Sequence, residues 1–183
     1  MKMQKYLRLL NFRLDVVVND ICGQTGMAII EDICKGNLDA QKLASHRHYN
    51  CRKSEEEIAK ALKGNNRQDY LFGLKQEFES YRFYQRQIDA CDKQITAFLK
   101  TQINIHPEKK KLYTESKPHK RVNKNTVKNL DINQTAFQYF NGVDLMRIEG
   151  LSYSTVLTIM SELGPDGFNK FKTAKQFTSW LRL

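Results

Sequence analysis

The amino-acid sequence predicts a mainly α-helical protein: a helical region with a long coiled-coil-like helix, a basic linker, then a helix-hairpin-helix-like partial domain. Three observations predict it. Apolar residues recur three and four positions apart through much of the chain, the spacing of one helix face. From Leu71 to Gln102 that spacing becomes a seven-residue repeat, the pattern of a coiled coil or a long antiparallel helix pair. Only three prolines and nine glycines occur among 183 residues, which favours helix over a turn-rich β architecture.

Each element has its own signal. Tyr6, Leu9, Leu10, Leu14, Val17 and Val18 lie on one face of an amphipathic helix expected over residues 2–20. Gly23 to Gly26 breaks it. A short helix follows from Met27 to Lys35, with Gly36 as its C-cap. Leu38 to Ala44 adds a turn or two, and the polar run His46 to Lys53 reads as loop. Ser54 and Glu57 form a capping box, each side chain serving the other's backbone N–H. Glu55, Glu56 and Glu57 place negative charge where the helix dipole favours it. Gly64-Asn65-Asn66 ends that helix.

The long helix carries two rows of a seam. One row is Leu71, Phe78, Gln85, Asp92 and Leu99; the other is Leu74, Tyr81, Ile88, Ile95 and Gln102. Leu71, Leu74, Phe78, Tyr81, Ile88, Ile95 and Leu99 are the expected self-association residues, pairing within the chain or across a homo-oligomer. Gln85 and Asp92 would weaken the seam and fix its register. The periodicity lapses from Ile105 to Asn125, where Pro107, Pro118 and lysine clusters read as an exposed linker. Helix resumes from Asn133 to Asn141, and Gly164-Pro165 stops a later helix. Thr173 with Gln176 starts the last one, which carries Phe177, Trp180 and Leu181. The organisation expected is a helical region over 1–104, a basic linker over 105–132 and a partial domain over 133–183.

The net charge of +10 is unevenly spread. Between Lys100 and Lys128 nine basic residues face only Glu108 and Glu115. Such a tract points to a polyanion, most often nucleic acid, or to a solvated linker. Lys109, Lys110, Lys111, Lys117, Lys120, Arg121 and Lys124 are its candidate contacts. No stretch approaches the ~20 apolar residues of a membrane span. Charged and polar residues interrupt the N-terminal apolar pattern, so no signal peptide is expected. Cys22, Cys34, Cys51 and Cys91 lack paired short spacing and read as reduced cytosolic thiols.

A further motif lies near the C-terminal end. An apolar turn, Leu145, Met146 and Ile148, runs into Glu149-Gly150-Leu151-Ser152, and a second apolar helix carries Val156, Leu157, Ile159, Met160 and Leu163. This is the outline of a helix-hairpin-helix. The start of its second helix offers unpaired N–H groups and the positive end of a dipole to an anion such as DNA phosphate. Gly150, Leu151, Ser152 and Tyr153 are the candidate contacts, with Gly150 serving either a backbone angle that side chains disfavour or a close approach. The alternative is an ordinary helical turn in a domain core.

Gly142, Val143, Asp144, Leu145, Ile148, Gly150, Thr155, Leu157, Glu162 and Gly164, followed by Phe177, Ser179, Trp180, Leu181 and Leu183, carry a resemblance to a known family. So do Met3, Gln4, Lys5, Leu7, Asn11, Leu14, Asp20, Ile21, Gly23, Thr25, Gly26, Ile29, Ile30, Ile33 and Gly36. The chain resembles bacterial insertion-sequence transposases of the IS-one-ten family, in particular its IS-eleven-eleven branch. It departs from that pattern at Glu149, Val156 and Arg182, where proline, alanine and glycine are usual. The resemblance implies DNA transposition and recombination, carried out by a metal-binding RuvC-like domain with four acidic residues and a serine nucleophile in a C-terminal domain. It also implies DNA as partner, a structured bridge RNA as guide, and the bacterial cytosol as location. The chain looks like an internal or truncated piece, with both catalytic segments outside it. No catalytic residue, metal site or cofactor is therefore expected within it, the divalent metal belonging to the absent nuclease-like domain. A stand-alone helical DNA- or RNA-binding protein, or a coiled-coil assembly protein, is the alternative.

Other constellations read more simply. Asp15 and Asp20 fall on a predicted helix and suit a solvated face better than a metal. Ser152, Ser154, Ser161 and Ser179 do not match the family's nucleophile. His46, His48 and Cys51 lack a fourth zinc ligand. Tyr81, Phe83 and Tyr84 beside Arg82 and Arg86 suit either packing or base stacking.

Overall fold

The computed structural model describes residues 2–104 and 126–180, the side chain of Asn104 excepted. Eight α-helices and no strands are present among the described residues. The chain divides into two compact units, residues 1–87 and 88–183.

The first unit opens with α1, Lys2–Leu9. The helix expected over residues 2–20 thus stops early, and the cause is Asn11. Its φ is +63°, a left-handed conformation that asparagine tolerates better than most residues. Phe12 N–H then donates to the Leu7 carbonyl (2.8 Å) and Asn11 N–H to that of Arg8 (3.0 Å), a Schellman closure. The Asn11 side chain donates to the Lys63 carbonyl at 2.9 Å. After this turn Leu14–Val16 forms a short 3-10 segment.

Helix α2 spans Gln24–Cys34 and α3 spans Ala40–Ala44, capped by Asp39. Gly36 takes φ +92° and ends α2 as expected. Gly26 lies where α2 meets the preceding chain: a Cβ there would sit 2.3 Å from the Ile21 carbonyl oxygen. Helix α4, Glu55–Ala61, starts at Ser54 with both halves of the capping box formed. Leu7, Leu10, Phe12, Leu14, Ile29, Ile30, Leu43, Ile58 and Leu62 form the centre of this core. Helix α5, Gln68–Asn104, has 37 residues and contributes Leu74 and Phe78 to the same core.

In the second unit, Leu99 of α5 packs with α6 (Ile132–Tyr139) and α7 (Tyr153–Leu163) around Ala136, Phe140, Val156 and Met160. Asp131 caps α6 by accepting from Gln134 N–H. Asn141 and Gly142, with φ of +55° and +91°, turn the chain out of α6. Leu145–Arg147 and Gly167–Lys170 are 3-10 turns, and α8 is Ala174–Trp180. The start of α8 differs slightly from the expected capping box. Thr173 Oγ1 does accept from Gln176 N–H, but the Gln176 side chain reaches back to Lys172 N–H instead of Thr173. Phe177 packs between Phe168 and Phe171, with centroid separations of 5.3 Å to each. Part of the α8 aromatic face is therefore covered by its own unit. No described helix is long and apolar enough to cross a membrane.

Candidate nucleic-acid interface

The turn before α7 is built on two residues with separate tasks. Gly150 has φ +86°. A Cβ there would meet nothing within 4 Å, so backbone angle, and not close approach, is what selects glycine. Ser152 is the N-cap of α7; its Oγ accepts from Thr155 N–H at 3.2 Å. That Oγ also lies 2.8 Å from both Ser154 Oγ and Thr155 Oγ1. Three hydroxyls thus cluster at the exposed first turn of the helix.

Gly150 and Ser152 are exposed, Leu151 is half-buried and Tyr153 is buried. The Tyr153 ring belongs to the core, where its hydroxyl accepts from Asn133 Nδ2 at 3.4 Å. Only its backbone can face a ligand at the turn. The first arm of the hairpin is the three-residue 3-10 turn Leu145–Arg147, held by buried Leu145 and Met146. Asp144 fixes it by accepting from Met146 N–H at 3.0 Å. Ile148, the last residue of the expected apolar turn, is 52 % exposed, because the 3-10 turn ends one residue before it and Ile148 itself is extended.

Lys109, Lys110, Lys111, Lys117, Lys120, Arg121 and Lys124 lie outside the described residues. Just beyond them, Lys128 is tied to α5: its Nζ pairs with Asp89 at 2.6 Å and its N–H donates to Asp92 at 3.1 Å.

The expected seam residues fall into two groups. Leu74 and Phe78 are buried in the first unit, with Leu71 and Tyr81 packed against them. Leu99 is buried in the second. Ile88 and Ile95 remain 50 % and 40 % exposed. Those two are the seam positions whose apolar surface is still open.

The remaining candidates disperse. Phe83 and Tyr84 form an exposed edge-to-face pair, while Arg82 is occupied by Glu31 at 2.7 Å and by the Phe78 ring. Asp15 is not on a solvated helix face: Arg8 and Arg13 clamp a carboxylate whose side chain is only 13 % exposed. Their hydrogen bonds, that of Arg8 first, hold its pKa below the ordinary value. His46 pairs with Asp32 at 2.7 Å, and Cys51 turns toward the Val17 carbonyl. No group of three His, Cys, Asp or Glu that could hold a metal ion occurs among the described residues. Ser179 is exposed on α8. Burial pushes the Cys34 thiol up to about 11, whereas Cys91 is exposed on α5.

One feature escaped the sequence pattern. The loop from His46 to Lys53 is pinned from within by Arg47 and beside it lies a cleft of about 540 Å³. In the sequence this stretch showed only as a polar run holding His46, His48 and Cys51. No family model matches the chain, and neither a curated protein nor a solved structure matches it.

Proposed function

We propose that this chain is the nucleic-acid-binding helical part of a bacterial insertion-sequence transposase, serving DNA transposition and recombination in the cytosol. The motif resemblance supports the reading. The observation that carries it is the turn at Gly150–Ser152, where glycine at positive φ leads directly into an exposed, hydroxyl-rich helix start. Backbone N–H groups, hydroxyls and the helix dipole there all suit a phosphate.

The basic tract supplies the long-range attraction that this turn lacks. DNA is the partner in this reading, with a structured guide RNA as a second. The chain itself is assigned no catalytic residue and no cofactor. Ile88 and Ile95 on α5 are its self-association surface.

Replacing Lys109, Lys110, Lys111, Lys120 and Arg121 together with glutamine tests the reading. Each cation that meets a phosphate should, on removal, flatten the dependence of log K on log salt by roughly 0.9 on duplex DNA. Unchanged affinity and slope would refute the role of the tract.

A further inference from the structure

The most exposed large hydrophobic side chain among the described residues is Tyr49, at 79 %. It belongs to neither hydrophobic core, so the fold does not require its ring. The ring rests on His48, centroid to centroid 4.2 Å with 38° between planes.

The loop beneath it is cross-braced. Arg47 donates from Nε to the Lys53 carbonyl and from Nη2 to that of Cys51, at 2.5 and 2.6 Å. Cys51 N–H donates to the His48 carbonyl at 2.8 Å. His48 N–H donates to Thr25 Oγ1 at 3.1 Å, and His48 Nδ1 accepts from Asn50 N–H at 3.3 Å. The ring proton of neutral His48 therefore sits on Nε2.

His48, Asn50 and Arg52 line one side of the adjoining cleft, whose size falls within the range of small-ligand sites. Asp15 also lines it, but its charge is met by Arg8 and Arg13. Asp20 accepts from Cys22 N–H. Lys53 is paired with Glu57. Arg52, three residues after Tyr49 in the same loop, has no ion pair or hydrogen bond among the described residues, and so leaves a cation at the cleft.

We infer that the His46–Lys53 loop is a binding surface for single-stranded nucleic acid, with an unpaired base stacking on Tyr49 and the neighbouring phosphate meeting Arg52. The inference rests on the nucleic-acid reading above and adds a surface in the other compact unit. An exposed aromatic ring and, three residues on in the same loop, a guanidinium without a partner among the described residues match the base-stacking and backbone-tracking parts of single-strand sites. Duplex does not fit the same pair, because its bases are already stacked on each other. A membrane or an apolar protein partner would call for a contiguous apolar patch, and here a single ring stands among polar neighbours.

The experiment uses the full chain and fluorescent eight-nucleotide oligo-dT and oligo-U, with a duplex of equal length as control, read by anisotropy. Tyr49→Ala should weaken single-strand binding about tenfold and Tyr49→Phe should restore it. Arg52→Gln should weaken it and lower the salt slope by roughly 0.7. Circular dichroism should be unchanged in all three, since the replaced side chains are exposed. Single-strand binding by Tyr49→Ala equal to the unmodified chain overturns the surface. If the five-residue glutamine variant alone loses binding, the surface fails and the wider reading stands. If the unmodified chain binds none of the three probes, both fail.

Discussion

Arg8 of α1 grips Asp15, seven residues later, through two hydrogen bonds to the same carboxylate oxygen, 3.1 Å from Nε and 2.7 Å from Nη2. Arg8 is the first cause of the lowered Asp15 pKa, Arg13 adds to it, and burial opposes it. A carboxylate whose folded pKa is depressed stabilises the fold fully above its unfolded value, ordinarily 3.8. That stability disappears as pH falls from there through the folded value. Arg8→Gln should cost about 1 kcal/mol at neutral pH, a charged hydrogen bond discounted for exposure. The measurement is Tm by circular dichroism from about pH 7 down to about pH 2. The variant's profile should be flatter in the acid limb; two parallel profiles would contradict the assignment.

Gly26→Ala sets helix propensity against space. Alanine is favoured in a helix interior by roughly 0.8–1.0 kcal/mol. Its Cβ, however, would stand 2.3 Å from the Ile21 carbonyl oxygen, and forced repacking costs about 1–3 kcal/mol. Net destabilisation is expected in a urea titration. A variant more stable than the parent would show that the α2 entrance relaxes freely.

Ser152→Ala should lower stability by about 1 kcal/mol, the usual value of an N-cap. It also removes the central oxygen of the hydroxyl cluster at α7. Duplex affinity should fall with it if that helix start meets phosphate. Lost stability with unchanged affinity would make the turn a purely structural cap.

Leu74 and Ile88 occupy the same seam and should behave oppositely. Leu74 is fully buried in the first unit, so Leu74→Ala should cost about 2–5 kcal/mol on denaturation. Ile88→Asp combined with Ile95→Asp changes two exposed positions and should leave the fold intact while abolishing self-association in sedimentation. A parent chain that already sediments as a monomer would remove these two residues from that role.

Local chemistry explains which parts of the fold were legible in the sequence. Ser54 and Glu57 announce α4 because a capping box is closed by neighbours. Gly36 ends α2 for the same local reason. Asn11 was a weaker sign: asparagine accepts left-handed angles without demanding them, so the apolar pattern continuing to Val18 suggested one unbroken helix. The seam shows a different limit. Spacings of three and four register that a helix face is covered, and they carry no information on what covers it. Leu74 and Phe78 are covered within their unit, whereas Ile88 and Ile95 are open. At the hairpin, the turn glycine was readable from residue type, whereas Ser152 stood there only as a candidate contact and its role as the α7 cap was not read. The burial of Tyr153 depends on Asn133, twenty residues away, and was not. The Arg47 braces likewise depend on which carbonyls a folded loop brings within reach.

The contrast between Cys34 and Cys91 has a practical consequence. Alkylating reagents attack the thiolate, and at neutral pH the elevated Cys34 leaves almost none to attack. Cys91, on the long helix between Ile88 and Ile95, is the most open of the four thiols, Cys22 and Cys51 being half-buried. A maleimide dye added briefly to the unaltered polypeptide should therefore settle there first, giving an optical reporter on α5 without any engineered cysteine.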